Sequence, residues 1–405
     1  MLLKMAWRNI WRKKKRSLIT MTALAGGVLG IMFIHSFGEG VWGAVIKMTT
    51  SAFLGHMQVR GNGWEDEPAI YKTVPDPIAV EAALKQTLPD AATLPRVMGF
   101  GLAAGEELST GVMIMGLDPA RERGSSDLLA IQRGRDLGDV AAREIVVGED
   151  LATQLELELD EELVLLGQAA DGSMANDLYK VVGLADAGTQ EMNGGAVFLH
   201  LADAQEFFAL ENGVHQILVN LDGNPEEVSG PLAALRGALD LKALEVLSWN
   251  EIAPELEAVV RQKRGGWKFF DFIVFFIVGL GVFNVMAMST FERTRELGIM
   301  ASLGTRRRRI VGLILTEAML LGAVSLVVGI ALALALLYGV GTVDLSAMAE
   351  QDLMGFRFPS HIEARPTSAA FINATATVVL TTLAGAIWPA WKASRLKPVD
   401  AVRYV

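Results

Sequence analysis

The 405-residue sequence has no cysteine, five histidines and only 7% aromatic residues. Without cysteine, no disulfide can staple an exported domain, which is compatible with an outer compartment because disulfides are permitted there rather than required. The histidines, His35, His56, His200, His215 and His361, are scattered without metal-ligand spacing, and no His-Glu-x-x-His pair or Gly-x-Ser-x-Gly elbow occurs. The dipeptide Gly-Lys is also absent, so there is no phosphate loop of the Gly-x-x-x-x-Gly-Lys-Ser/Thr kind, and ATP hydrolysis by that route needs another polypeptide. Gly99, Gly101 and Gly105 lack the spacing of a dinucleotide loop and read as a turn between strands. The acidic runs Glu65, Asp66, Glu67 and Asp160, Glu161, Glu162 lack the alternating oxygen ligands and glycine of a calcium loop, so they read as solvated surface. Nothing in the sequence marks an enzyme, a metal site or a nucleic-acid interface.

What is present is lipid-length apolar sequence. Four stretches, 17–37, 269–290, 310–340 and 369–388, meet or nearly meet the ~20 residues a bilayer-spanning helix requires. Between the first two lies an acidic block: residues 39–264 hold 16 Lys+Arg against 37 Asp+Glu, whereas the rest of the chain holds 20 against 9. Basic residues precede the first stretch, lie between the second and third as Arg293, Arg295 and Arg306, Arg307, Arg308, Arg309, and follow the fourth. The positive-inside rule makes these segments cytoplasmic. Both termini are then inside, and 55–264, with the shorter loop 341–367, is outside. The first stretch is read as a retained span, since it is longer than a ~7–15-residue signal core and no clear A-x-A site follows.

The spacing predicts a cytoplasmic amphipathic helix over 1–16, a first span continuing into a stalk over 38–54, and a head of mixed strands and helices with residues 119–215 inserted as a second subdomain. A cytoplasmic segment 291–309 and tail 389–405 complete the plan. The fold class is therefore an α-helical membrane protein with four transmembrane helices plus a large α+β extracytoplasmic domain between helices 1 and 2. Small residues in the spans, Gly279, Gly281, Gly322, Ala323, Gly329, Ala384 and Gly385, suit close helix packing in lipid. Few polar groups lie within the spans: Asp271, Asn284, Glu317 and Asn373. Of these Glu317, two turns into the third span, needs an inward-facing partner or something to bind.

The second span runs into Phe291-Glu292-Arg293-Thr294-Arg295-Glu296-Leu297-Gly298-Ile299-Met300-Ala301-Ser302-Leu303-Gly304. Its charges flank a short helix with an apolar set of Leu297, Ile299, Met300 and Leu303, suited to a groove in a cytoplasmic partner with the charges fixing register. The chain closes with Trp388-Pro389-Ala390-Trp391-Lys392-Ala393-Ser394-Arg395-Leu396-Lys397-Pro398-Val399-Asp400-Ala401-Val402-Arg403. Together these motifs and the layout resemble the FtsX-like permeases of the MacB, LolC/LolE and FtsX superfamily, transmembrane subunits of type VII ABC transporters. The resemblance implies a MacB-like periplasmic domain and a bacterial inner-membrane location. It implies a coupling helix carried by Arg293, Arg295, Glu296, Gly298, Ala301 and Gly304, and the segment 145–152 resembles the opening of the family's inserted subdomain. It further implies no cofactor in this chain, ATP and Mg²⁺ being bound by a separate cytoplasmic ABC ATPase, and a second permease copy or paralogue beside it. By the same resemblance the expected function is mechanotransmission that releases a lipoprotein or another hydrophobic envelope molecule, with a periplasmic lipoprotein chaperone as partner. Export of peptide or drug with a membrane-fusion adaptor, or FtsX-like signalling to a cell-wall hydrolase, are the alternatives.

Overall fold

A computed structural model describes residues 2–64, 69–105, 107–126, 128–344 and 361–395. The run Glu65, Asp66, Glu67, most of the 341–367 loop and the tail after Arg395 lie outside the described residues. In chain order the elements begin with α1 (Leu2–Arg12), α2 (Lys14–Thr49), a π-helical turn (Thr50–Leu54), β1 (Met57–Gly61), α3 (Pro77–Thr87), β2 (Ala92–Ala104), β3 (Ser109–Leu117) and α4 (Pro119–Glu122). There follow β4 (Ala130–Gly134), β5 (Glu144–Gly148), α5 (Glu149–Gln154), β6 (Glu162–Gln168), β7 (Met174–Asp186), α6 (Gln190–Gly195), β8 (Ala196–His200) and α7 (Leu201–Phe207). The last are β9 (Gln216–Asn220), α8 (Ser229–Ala238), β10 (Leu244–Ser248), α9 (Trp249–Ile252), α10 (Pro254–Glu292), α11 (Thr294–Ser302), α12 (Arg307–Val340), β11 (Thr342–Asp344), β12 (His361–Glu363) and α13 (Ser368–Ser394).

The chain divides into two compact units, one formed by 43–257 and one gathering the segments before Trp42, 258–344 and from His361 onward. In the first, β1–β10 form a single mixed sheet in the order β10-β1-β9-β2-β3-β8-β5-β7-β4, with β6 bridging β2 and β7. The strands within 119–215 therefore continue the sheet of the flanking sequence, joined to it by the parallel pair β3–β8 (Met113↔Ala196 to Leu117↔His200). One hydrophobic cluster also runs through both portions, from Met57 and Val59 to Leu163, Val181 and Val246. Local chemistry sets the element ends: Asp76, at φ 45°, caps α3 by accepting from the Ala79 N–H ahead of Pro77, and Ser248 with Glu251 forms a capping box on α9.

The glycines expected to form a turn do something else. Gly99 and Gly101 lie within β2, where a β-carbon on Gly99 would fall 2.4 Å from the Phe208 ring and one on Gly101 2.4 Å from the Leu166 carbonyl oxygen. Glycine serves close approach at both places, and the turn begins only at Gly105, whose N–H donates to Leu108 O at 2.9 Å. β4 had no sequence signal; its Ala-Ile-Gln-Arg-Gly alternation is obscured because most of the strand is exposed.

The second unit holds the stretches long and apolar enough to cross a membrane, in α2, α10, α12 and α13. α2 passes without a break through the first predicted span and on into the predicted stalk, and α10 runs unbroken through the second predicted span. Glycines set the crossings. A β-carbon on Gly322 would meet Thr382 Cγ2 at 2.8 Å, on Gly385 Val282 Cγ1 at 2.9 Å, and on Gly329 Val28 Cβ at 2.6 Å. These glycines thus serve packing within one chain, whereas Gly281 has open space around it. α13 continues past Pro389, which is buried inside the helix.

Candidate coupling site

The segment 291–309 folds as a short helix between two long ones. α10 ends at Glu292, the Thr294 hydroxyl donates to Phe291 O at 2.6 Å, and Gly304 turns the chain at φ 84° with its N–H on Ala301 O. About two and a half turns over nine residues leave α11 with two faces. Thr294, Leu297 and Gly298 are buried, and Leu297 joins a cluster with Ile10, Met286, Ile310, Ile314 and Ala390, against which Met300 and Ala301 also pack. Arg295, Ile299, Ser302 and Leu303 face outward, Leu303 at 80% exposure. The expected apolar docking set is therefore split. Leu297 and Met300 hold α11 to its own bundle, because residues three apart share a helical face, and Ile299 and Leu303, four apart, are the apolar groups left open.

The charges behave differently from a free, partner-seeking set. Glu296 accepts from Arg12 Nη1 at 2.6 Å and from Arg293 Nε at 3.2 Å, Glu292 pairs with Lys13 and with Arg16 (3.2 Å), and Arg293 Nη1 reaches Glu317 at 3.0 Å. Hydrogen bonding from Arg12, with Arg293 behind it, holds the Glu296 carboxyl below its usual range. Glu317, 5% exposed within α12, thus has the inward-facing partner its position demands, and that partner comes from the residue that opens α11. A cavity of about 190 Å³ lies among these groups, walled by Asn9 and Arg12 of α1, by Lys13 just after it, and by Glu292, Arg293, Glu296 and Glu317. The Asn9 amide nitrogen is buried there with no hydrogen-bond partner among the described residues.

The other polar residues of the spans are placed separately. Asp271 accepts from His35 Nε2 at 3.0 Å on each carboxylate oxygen, with Glu39 on Arg264 one turn farther along and Trp267 against the His35 ring. Asn284 is exposed on α10. By the positive-inside rule alone, Arg12, Lys13 and Arg16 have only an orienting role. Their pairing with Glu292 and Glu296 across some 280 positions has no signature in spacing.

The family described as FtsX-like permease C-terminal matches residues 268–398, and the MacB-like periplasmic core domain matches residues 17–234. A macrolide export ATP-binding/permease protein, MacB, of Hahella chejuensis is 26% identical over 98% of this chain and 59% of its own length. The chain therefore spans about three-fifths of that relative. An ABC transporter permease of Bacillus subtilis, YvrN, is 26% identical over 99% of each chain, and the lipoprotein-releasing system transmembrane protein LolC of Xylella fastidiosa is 22% identical over 97% of this chain and 96% of its own. Among solved structures, the periplasmic region of MacB from Actinobacillus actinomycetemcomitans aligns with a TM-score of 0.36 at 13% identity, covering 53% of this chain and 98% of that one.

Proposed function

Because the chain belongs to the FtsX-like permeases with a MacB-like periplasmic core, the type VII ABC transporter kind, we propose that it is the transmembrane subunit through which a separate cytoplasmic ATPase drives movement of the outer head. α11 is the contact with that ATPase, and the observation that carries this reading is its division into a face tied down by Leu297, Glu296 and Arg293 and an open face of Arg295, Ile299 and Leu303. A helix fixed to its own bundle on one side transmits force applied to the other. In this reading both termini and α11 are cytoplasmic, ATP and Mg²⁺ stay with the partner, and the permease works as a pair with a second copy or a paralogue.

The cargo is a hydrophobic molecule of the bacterial envelope, in first place a lipoprotein. The relative named for lipoprotein release supports this, since it is matched over nearly the whole of both chains. Macrolide-type export with a periplasmic adaptor is the second reading, favoured by the MacB relative's 26% identity across 98% of this chain. The experiment is to express Ile299→Asp and Leu303→Asp with the cognate ATPase. Both variants are expected to reach the membrane at normal levels while ATPase co-purification and transport fall, since charging an apolar contact at a docked interface costs on the order of 2 kcal/mol or more. Unchanged co-purification and transport by both would remove α11 from the interface.

A further inference from the structure

The ten-stranded sheet of the head has an outer face that is covered at one end and bare at the other. Covered, it packs Met98 and Met113 with Met115, Val146, Phe198 and Phe53. Farther along the same strands the residues on that face are Phe100 and Leu102 of β2, Val164 and Leu166 of β6, and Met174 and Leu178 of β7. Register places them in adjacent rows, Leu102↔Leu166↔Asn176 and Ala104↔Val164↔Leu178, with Gln168↔Met174 beside them. Alternation along a strand puts them on one side, and their inward neighbours Ala103, Leu163, Leu165, Ala175 and Tyr179 are all buried. Phe100 is 74% exposed, Leu102 49%, Met174 82% and Leu178 42%. Large side chains left bare together on a sheet face mark a contact surface.

The rim states the partner's charge. Beside Val164 and Leu178 opens a cavity of about 730 Å³, whose walls carry Leu108, Leu155 and Leu157 with the carboxylates of Glu107, Glu156, Asp160, Glu161 and Glu162, and no lysine or arginine. Lys180 pairs with Asp160 at 2.8 Å and lies opposite Glu162 across the β6–β7 ladder, but among the described residues no ion pair is made by Glu107 or Glu156. A second copy of this chain would set the same carboxylates against these, and an anionic lipid surface would be repelled likewise. We infer that the bare face of β2, β6 and β7 is the docking surface for a separate protein partner that presents an apolar patch ringed by lysine or arginine. The apolar groups cover Phe100, Leu102, Met174 and Leu178, and a basic side chain enters the carboxylate-walled cavity. This surface takes no part in the α11 reading and stands or falls without it.

The test uses the full chain in lipid nanodiscs and two fluorescein-labelled synthetic peptides, one alternating leucine and lysine, the other leucine and glutamate. The basic peptide is expected to bind in a salt-sensitive way and the acidic one not to bind. Leu102→Ser/Leu178→Ser and, separately, Glu107→Lys/Glu162→Lys are each expected to weaken binding roughly tenfold or more, as for central anchors of an interface. The same charge change elsewhere on the head, Asp90→Lys/Glu227→Lys, is expected to leave it intact. Equal binding of the two peptides, indifference to the face variants, or equal weakening by Asp90→Lys/Glu227→Lys would each overturn the proposal. So would ready disulfide formation between copies carrying Met174→Cys, which would make the face a self-interface. ATPase co-purification with the same variants is read separately, since it reports on α11 and not on this face.

Discussion

At the scale of single residues the decisive group is Arg293, which serves both Glu296 and Glu317. Glu317 is 5% exposed within a lipid-length helix, so removing the guanidinium leaves a buried carboxylate without a counter-ion. Breaking such a pair costs about 3–5 kcal/mol, whereas replacing both partners with apolar groups of similar volume is often neutral or better. Arg293→Ala is therefore expected to lower the melting temperature of the solubilised chain strongly, and Arg293→Met/Glu317→Leu to recover most of the loss; a double variant no more stable than the single would mean the pair carries no such coupling. In the head, the fully buried His215 accepts from the Met98 N–H at Nδ1 (2.9 Å) and donates from Nε2 to Ile70 O (2.8 Å). Burial pushes its imidazole below the ordinary value of 6.5. The unfolded chain then takes up a proton that the folded head refuses, so this contribution to stability is full above pH ~6.5 and is lost as pH falls below it. Thermal melts between pH 7.5 and 5 should show a steeper acid-side decline for the native chain than for His215→Gln, whose amide supplies one donor and one acceptor; parallel declines would assign the slope to other groups.

At the scale of elements, the sequence spoke where a period or a cap was at work. Local spacing reads strands over 56–60, 144–147 and 217–221 and a helix over 76–88, close to the observed Met57–Gly61, Glu144–Gly148, Gln216–Asn220 and Pro77–Thr87, because alternation and capping act between near neighbours. For β2 and β7, 13 residues each, spacing reads strands only over 97–102 and 180–184, because the rest of each is exposed or interrupted by glycine. At the candidate site, the position and helicity of 294–302 were legible, but which of its apolar residues faced inward was not. That depends on Ile10, Ile310 and Ala390, brought together only by tertiary packing. The same holds for α2 against α10, where a β-carbon on Gly38 would sit 2.2 Å from the Trp267 ring, next to the His35–Asp271 and Glu39–Arg264 pairs. Gly38→Val should push the helices apart there and cost about 1–3 kcal/mol, the usual penalty of overpacking. A melting temperature equal to that of the native chain would show that Trp267 can swing aside.

At the scale of the whole molecule the charge is divided: residues 39–264 carry a large acidic excess and the remainder a basic one. That division is what orients the chain in the proposed reading, and the lack of native cysteine makes it directly testable. Gln154, exposed at the end of α5, is a suitable outer reporter. An impermeant thiol reagent added to intact spheroplasts is expected to label Gln154→Cys and leave Thr305→Cys untouched. Labelling of Thr305→Cys alone would invert the topology and move the ATPase contact to the wrong side.

The unbroken course of α2 has a consequence of phase. Over its 36 residues every side chain is locked to every other by a fixed angle of about 100° per residue, and no hinge within the helix can absorb an error. One residue inserted near Gly43 would swing everything beyond it by that angle, while seven would return it to within ~20° and merely add ~10 Å of length. Within α2 itself, then, azimuth is a stricter quantity than length: an insertion of seven residues keeps the phase of the helix, and an insertion of one does not.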